Sequence, residues 1–119
     1  MPKIFLLEDG EIEEDIKFVI EETARINKIN NLEVILPKIP VSLENIPMCD
    51  AYIFNLGLVD ELQHFTKIKK QNPSAKIYGT GVINEEYQKM LDQYYFLIHE
   101  NEAESILKDI KSQNKKAGE

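Results

Sequence analysis

Five polar side chains sit where short apolar runs end. Glu8-Asp9 follows Lys3-Ile4-Phe5-Leu6-Leu7, and Asn55 closes Ala51-Tyr52-Ile53-Phe54. Thr80 follows Lys76-Ile77-Tyr78-Gly79, and His99 follows Tyr95-Phe96-Leu97-Ile98. Adjacent carboxylates offer hard oxygen ligands to a cation such as Mg2+. An amide adds an uncharged oxygen, and a hydroxyl both donates and accepts. An imidazole is mostly uncharged at neutral pH and titrates just below it. Ligands of open α/β sheets gather outside the carboxyl ends of the strands. If the four runs are parallel neighbours, Glu8, Asp9, Asn55, Thr80 and His99 meet along one sheet edge, and function is expected there.

The elements that must bring them together can be read in order. Residues 3–7 form a first strand. A helix over 11–27 buries Ile12, Ile16, Val19, Ile20 and Ala24 on one side, with its acids and Arg25 largely on the other. Residues 32–36 form a second strand. Pro37, Pro40 and Pro47 break the stretch that follows, leaving room only for a short helical turn from Ser42 to Ile46. Residues 51–56 form a third strand, buried on both faces as in a parallel sheet. A helix from about Asp60 to Gln71 buries Leu62, Phe65 and Ile68 and stops at Asn72-Pro73. His64 on this helix is expected to be exposed. Residues 75–80 form a fourth strand, Asn84 caps a helix through about Gln93, and residues 95–98 form a fifth strand. Asn101-Glu102-Ala103-Glu104 has capping-box form and opens a last helix that ends near residue 112, with 113–119 a flexible tail. The order βαβαβαβαβα, with right-handed crossovers and a reversal of strand order, lays helices on both faces of the sheet.

The chain has 119 residues, room for one domain with a real core. A net charge of −7 argues against broad binding to nucleic acid or to an anionic membrane, because no basic field draws the chain to phosphate. The lysine groups at 67, 69 and 70 and at 108, 111, 115 and 116 read as solvated helix faces. The single Cys49 excludes an internal disulfide and a multi-cysteine zinc site, and it is expected to be a buried, bland thiol. No apolar run reaches membrane-spanning length. The N-terminal run is too short for a signal peptide, so a cytoplasmic location is expected.

This alternation, with these residues at the strand ends, resembles the receiver domain of bacterial response regulators over nearly the whole chain. Glu8-Asp9 resembles the family's acidic metal-binding pair. Tyr52-Ile53-Phe54-Asn55-Leu56 resembles the strand carrying the phosphorylated aspartate, closest in flavour to the receivers of LytTR-type regulators. Thr80 matches the Ser/Thr ending the fourth strand. Tyr95-Phe96-Leu97-Ile98-His99 resembles the segment that ends in the invariant lysine, with Phe96 at the aromatic switch position. The resemblance implies a flavodoxin-like three-layer αβα sandwich with a five-stranded parallel sheet of order 2-1-3-4-5, and a receiver-like domain over residues 1–112.

The departures bear on function. The phosphoacceptor position holds Asn55, whose amide is not a useful nucleophile toward phosphorus. The lysine position holds His99, which is shorter and mostly uncharged at neutral pH. These changes imply a degenerate pseudo-receiver. Such a domain would be a non-enzymatic module that works by phosphorylation-independent protein contact, with no required cofactor and at most weak Mg2+ at Glu8, Asp9 and Asn55. In the family, the surface made by the fourth helix, fifth strand and fifth helix is the usual contact and dimer face. Here it covers about residues 84–112. Two alternatives stand beside this reading. One is a conventional phosphorelay receiver using a neighbouring acid such as Asp60. The other is a small flavodoxin-like enzyme or cofactor binder, for which neither a glycine-rich phosphate loop nor a nucleophile–base pair is apparent.

Overall fold

The computed structural model describes residues 2–38, 44 and 46–117. Five strands build one parallel sheet: β1 (Lys3–Leu7), β2 (Glu33–Ile35), β3 (Ala51–Asn55), β4 (Lys76–Thr80) and β5 (Gln93–Tyr95). Their order is β2-β1-β3-β4-β5, as the resemblance implies. The described helices are α1 (Glu13–Ile26), α2 (Gln63–Gln71), α3 (Glu85–Gln88) and α4 (Glu100–Ala117). The helical turn expected between Ser42 and Ile46 falls on a segment of which only Glu44 and Ile46 are described.

Side chains alternate across a strand, so each central strand feeds two cores. Ile4, Leu6, Ala51, Ile53 and Tyr78 pack with Ile16 and Ile20 of α1 and with Ile106 and Ile110 of α4. Phe5, Leu7, Tyr52, Phe54 and Ile77 pack with Phe65 and Ile68 of α2. The first layer is mainly aliphatic. The second is built on rings, with Phe65 edge-on to both Phe54 and Tyr87. Local sequence sets the helix ends. Three acids occupy the first turn of α1 and Arg25 its last, matching the helix dipole. Lys28, at φ 59°, then turns the chain out of α1. Asn84 accepts the N–H groups of Glu86 and Tyr87 and starts α3.

Three expectations shift. The helix after Asn84 ends at Gln88, not Gln93. Asp92 is drawn into the sheet instead: its N–H donates to the Ile77 carbonyl and its carboxylate accepts the Ile77 N–H. Strand five accordingly covers 93–95, not 95–98, because its ladder to β4 runs only from Tyr78↔Gln93 to Thr80↔Tyr95. Beyond it β4 turns away at Gly81, whose φ is +81°. The last helix starts at Glu100 and continues through Ala117, so it takes in residues expected to form a tail. Its capping contact comes from Glu102, which accepts the backbone N–H of His99. His99 therefore stands at the helix entrance where Asn101 was expected.

Candidate functional site

The pairing registers set Leu7 beside Phe54 and Asn55 beside Thr80. The tips of β1, β3 and β4 are therefore adjacent, and Glu8, Asn55 and Thr80 converge there. Glu8 is not a solvated strand end: it is 1% exposed. Burying a carboxylate without partners is costly, and here both of its oxygens have them. Oε1 accepts from Asn55 Nδ2 and, at 3.2 Å, from the Asp9 backbone N–H. Oε2 accepts the Thr80 hydroxyl at 2.6 Å.

Both ends of the Asn55 amide are engaged. Its Oδ1 accepts the Gly57 N–H at 2.9 Å while Nδ2 donates to Glu8. A backbone N–H can only donate and a carboxylate can only accept, so these two partners fix which way the amide faces. Gly81 closes over the same group. A Cβ at position 81 would lie 2.9 Å from Asn55 Oδ1, so this close approach needs glycine.

The resemblance implies Mg2+ at Glu8, Asp9 and Asn55, but this donor set does not fit it. The Glu8 oxygens are occupied by protein donors. Asn55 presents N–H to Glu8 and turns its oxygen to Gly57. The exposed Asp9 accepts the Glu11 N–H at 3.1 Å. Among the described residues, no three His, Cys, Asp or Glu side chains form a metal-holding group. An amide N–H serves Glu8 where a cation would otherwise balance it.

The other two positions stand apart from this notch. Phe96 lies past the end of β5 and is 82% exposed. His99 is exposed beside Ile12 and Asp15 of α1, and no hydrogen bond or ion pair joins it to Glu8, Asp9, Asn55 or Thr80 among the described residues. Four strand tips were expected to meet; three do, with Asp9 alongside. Val82 and Ile83, just after β4, are exposed like Phe96, and the Gly81 N–H donates to the Phe96 carbonyl at 3.2 Å. That backbone contact brings the Phe96 segment beside Gly81, which itself closes over Asn55.

His64 corrects the sequence reading, since it is 4% exposed rather than solvated. Its Nε2 lies 3.1 Å from Asp60 Oδ1, while Nδ1 is buried without a hydrogen-bond partner among the described residues. Its spacing of four from Ile68 puts it on the buried stripe, a signal the sequence did carry. Cys49 is buried as expected. Burial pushes its thiol up to about 12, which makes thiolate scarce at neutral pH.

No protein-family model matches the sequence, and no protein of curated function matches it either. Solved structures do. One is a response regulator receiver domain protein (CheY-like) from Methanospirillum hungatei JF-1, with a TM-score of 0.71 at 18% identity over 98% of this chain and 98% of that one. Another is a response regulator receiver domain protein from Clostridium thermocellum, with a TM-score of 0.67 at 15% identity over 96% and 98%. A third is a streptococcal redox sensor of a family evolved from two-component response regulators, with a TM-score of 0.67 at 16% identity. It is matched over 99% of this chain and 55% of that one. At such identities the likeness defines the fold, and the fold is that of the CheY-like receiver domain. Among the described residues, no helix is long and apolar enough to cross a membrane.

Proposed function

We propose that this chain is a pseudo-receiver: a signalling module that acts by protein contact without being phosphorylated. The observation that carries the reading is the closed set of hydrogen bonds Asn55–Glu8–Thr80 at the tips of β3, β1 and β4. Where the resemblance calls for a nucleophilic carboxylate and a metal, the chain has an amide already committed to both neighbours. His99 points the same way: it stands at the entrance of α4, where Glu102 accepts its backbone N–H, and among the described residues no hydrogen bond or ion pair joins it to Glu8. The module would have no catalytic chemistry of its own, and its proposed setting is signalling in the cytoplasm. Exposed Phe96 lies within the stretch 84–112, the proposed contact or dimer surface, and exposed Val82 and Ile83 come just before it.

The test is incubation with acetyl phosphate or phosphoramidate and Mg2+, followed by intact mass measurement. The expected result is an unchanged mass. A stoichiometric gain of one phosphoryl group, at Asp60 or elsewhere, would overturn the reading.

A further inference from the structure

We propose that the notch closes a covalent bond within the chain: the Thr80 hydroxyl attacks the Asn55 side-chain amide, forming an ester between the tips of β4 and β3 and releasing ammonia. This is a single stoichiometric step, not turnover, and it goes beyond the pseudo-receiver reading.

The groups such a step needs are already in contact. The nucleophile is Thr80 Oγ1. It donates its proton to Glu8 Oε2 at 2.6 Å, which suits that carboxylate to act as general base. The electrophile is the Asn55 Cγ. Asn55 and Thr80 are paired across β3 and β4, strands set about 4.8 Å apart, and both side chains reach the same carboxylate. Holding both reactants in one place removes the entropy of bringing them together. Negative charge develops on Asn55 Oδ1, where the Gly57 N–H already donates at 2.9 Å. A fixed backbone donor stabilises a tetrahedral oxyanion at that position. The leaving nitrogen is Nδ2, which donates to Glu8 Oε1. One carboxyl group therefore touches both the hydroxyl that loses a proton and the nitrogen that gains one.

The bonds balance without any co-reactant. The Thr80 Oγ1–H and Asn55 Cγ–Nδ2 bonds break, and a Cγ–Oγ1 bond and an N–H bond form. The proton passes from Oγ1 through the Glu8 carboxyl to Nδ2, which leaves as ammonia with the electron pair of the broken bond. The surroundings disfavour two competing reactions. Hydrolysis needs water, yet Glu8 and Thr80 are each 1% exposed and Gly81 closes over the amide. Cyclisation to a succinimide needs the Leu56 nitrogen, whose N–H is held by the Thr80 carbonyl at 2.9 Å.

The test follows the intact mass of the full 119-residue chain from refolding onward, at physiological temperature and pH. The folded chain should lose one ammonia, about 17 Da. Proteolysis and tandem mass spectrometry should then find the peptide holding Asn55 joined to the peptide holding Thr80, and hydroxylamine, which cleaves esters, should separate them. Thr80→Ser should keep the loss and Thr80→Val should abolish it, with circular dichroism checking that both variants fold. An unchanged mass of the folded parent, or a loss without the joined peptides, overturns the proposal. So does a gain of about 1 Da, which is hydrolysis of the Asn55 amide to a carboxylate, and so does an ammonia loss that persists in Thr80→Val, which is a succinimide. The phosphorylation assay reads a gain in mass that needs acetyl phosphate or phosphoramidate, so either reading can fail without the other.

Discussion

Replacing Asn55 with Asp, the residue that the resemblance implies at this position, should destabilise this protein. The substitution removes the amide N–H that Glu8 Oε1 accepts and sets a second carboxylate against one that is 1% exposed. A hydrogen bond to a charged partner contributes about 1.5–3 kcal/mol. Two unit charges about 4 Å apart repel by about 4 kcal/mol at an effective dielectric of 20. Because one carboxyl can escape repulsion by taking up a proton, the two effects overlap, and the net cost is about 2–4 kcal/mol at pH 7. For a domain of this size that lowers Tm by about 8–16 °C. The variant does gain the carboxylate a cation needs. Mg2+ at ten times its Kd would return about 1.4 kcal/mol, or about 6 °C. Thermal melts by circular dichroism, in EDTA and in excess Mg2+ at matched ionic strength, measure both effects. The parent should melt at the same temperature in both buffers. A variant as stable as the parent in EDTA, or a parent stabilised several degrees by Mg2+, would refute the idea that the Asn55 amide takes the cation's place.

Two further substitutions probe the same edge of the molecule. Thr80→Val keeps the shape but leaves Glu8 Oε2 without its donor. Urea unfolding should show a loss of about 2–3 kcal/mol, and an unchanged midpoint would mean the hydroxyl is not holding Glu8. Asp92 accepts Lys69 Nζ at 2.8 Å and the Ile77 N–H at 2.7 Å. Burial acts to raise its pKa, but these two donors outweigh it and hold the carboxyl below its usual value. Its stabilisation is therefore present above the unfolded-state value of about 3.9 and is lost as pH falls through the folded value. Asp92→Ala should cost about 1 kcal/mol at pH 7, a low value because the pair is partly hydrated, and the gap to the parent in urea should close below about pH 4.

The first four strands were legible, and the edge strand β5 was not. β1, β3 and β4 announce themselves by continuous apolar runs, because each is covered on two faces. Tyr95-Phe96-Leu97-Ile98 reads the same way, yet only Tyr95 of it lies in a strand. An apolar run does not say where its partner ends, and β4 leaves the ladder at Gly81. Ile98 is buried from the loop and Phe96 is not. That shift moved His99 from a strand tip to a helix entrance and removed it from the notch. Glu8 shows the opposite limit. Its residue type suggests solvent, and only the arrival of Asn55 and Thr80 from strands 47 and 72 residues away makes burial affordable. His64 was missed although its helical spacing pointed inward.

The alternation of the sheet has one further outcome. The chain has no tryptophan and five tyrosines, and the two most deeply buried lie on opposite faces. Tyr52 sits in the ring-rich layer, its hydroxyl donating to the Pro47 carbonyl and accepting the Cys49 N–H. Tyr78 sits in the aliphatic layer, its hydroxyl donating to Asp109 of α4. Each layer thus carries its own chromophore in a distinct setting. With one phenol exchanged for phenylalanine at a time, near-ultraviolet dichroism can follow whether the two halves of this sandwich loosen together or one ahead of the other.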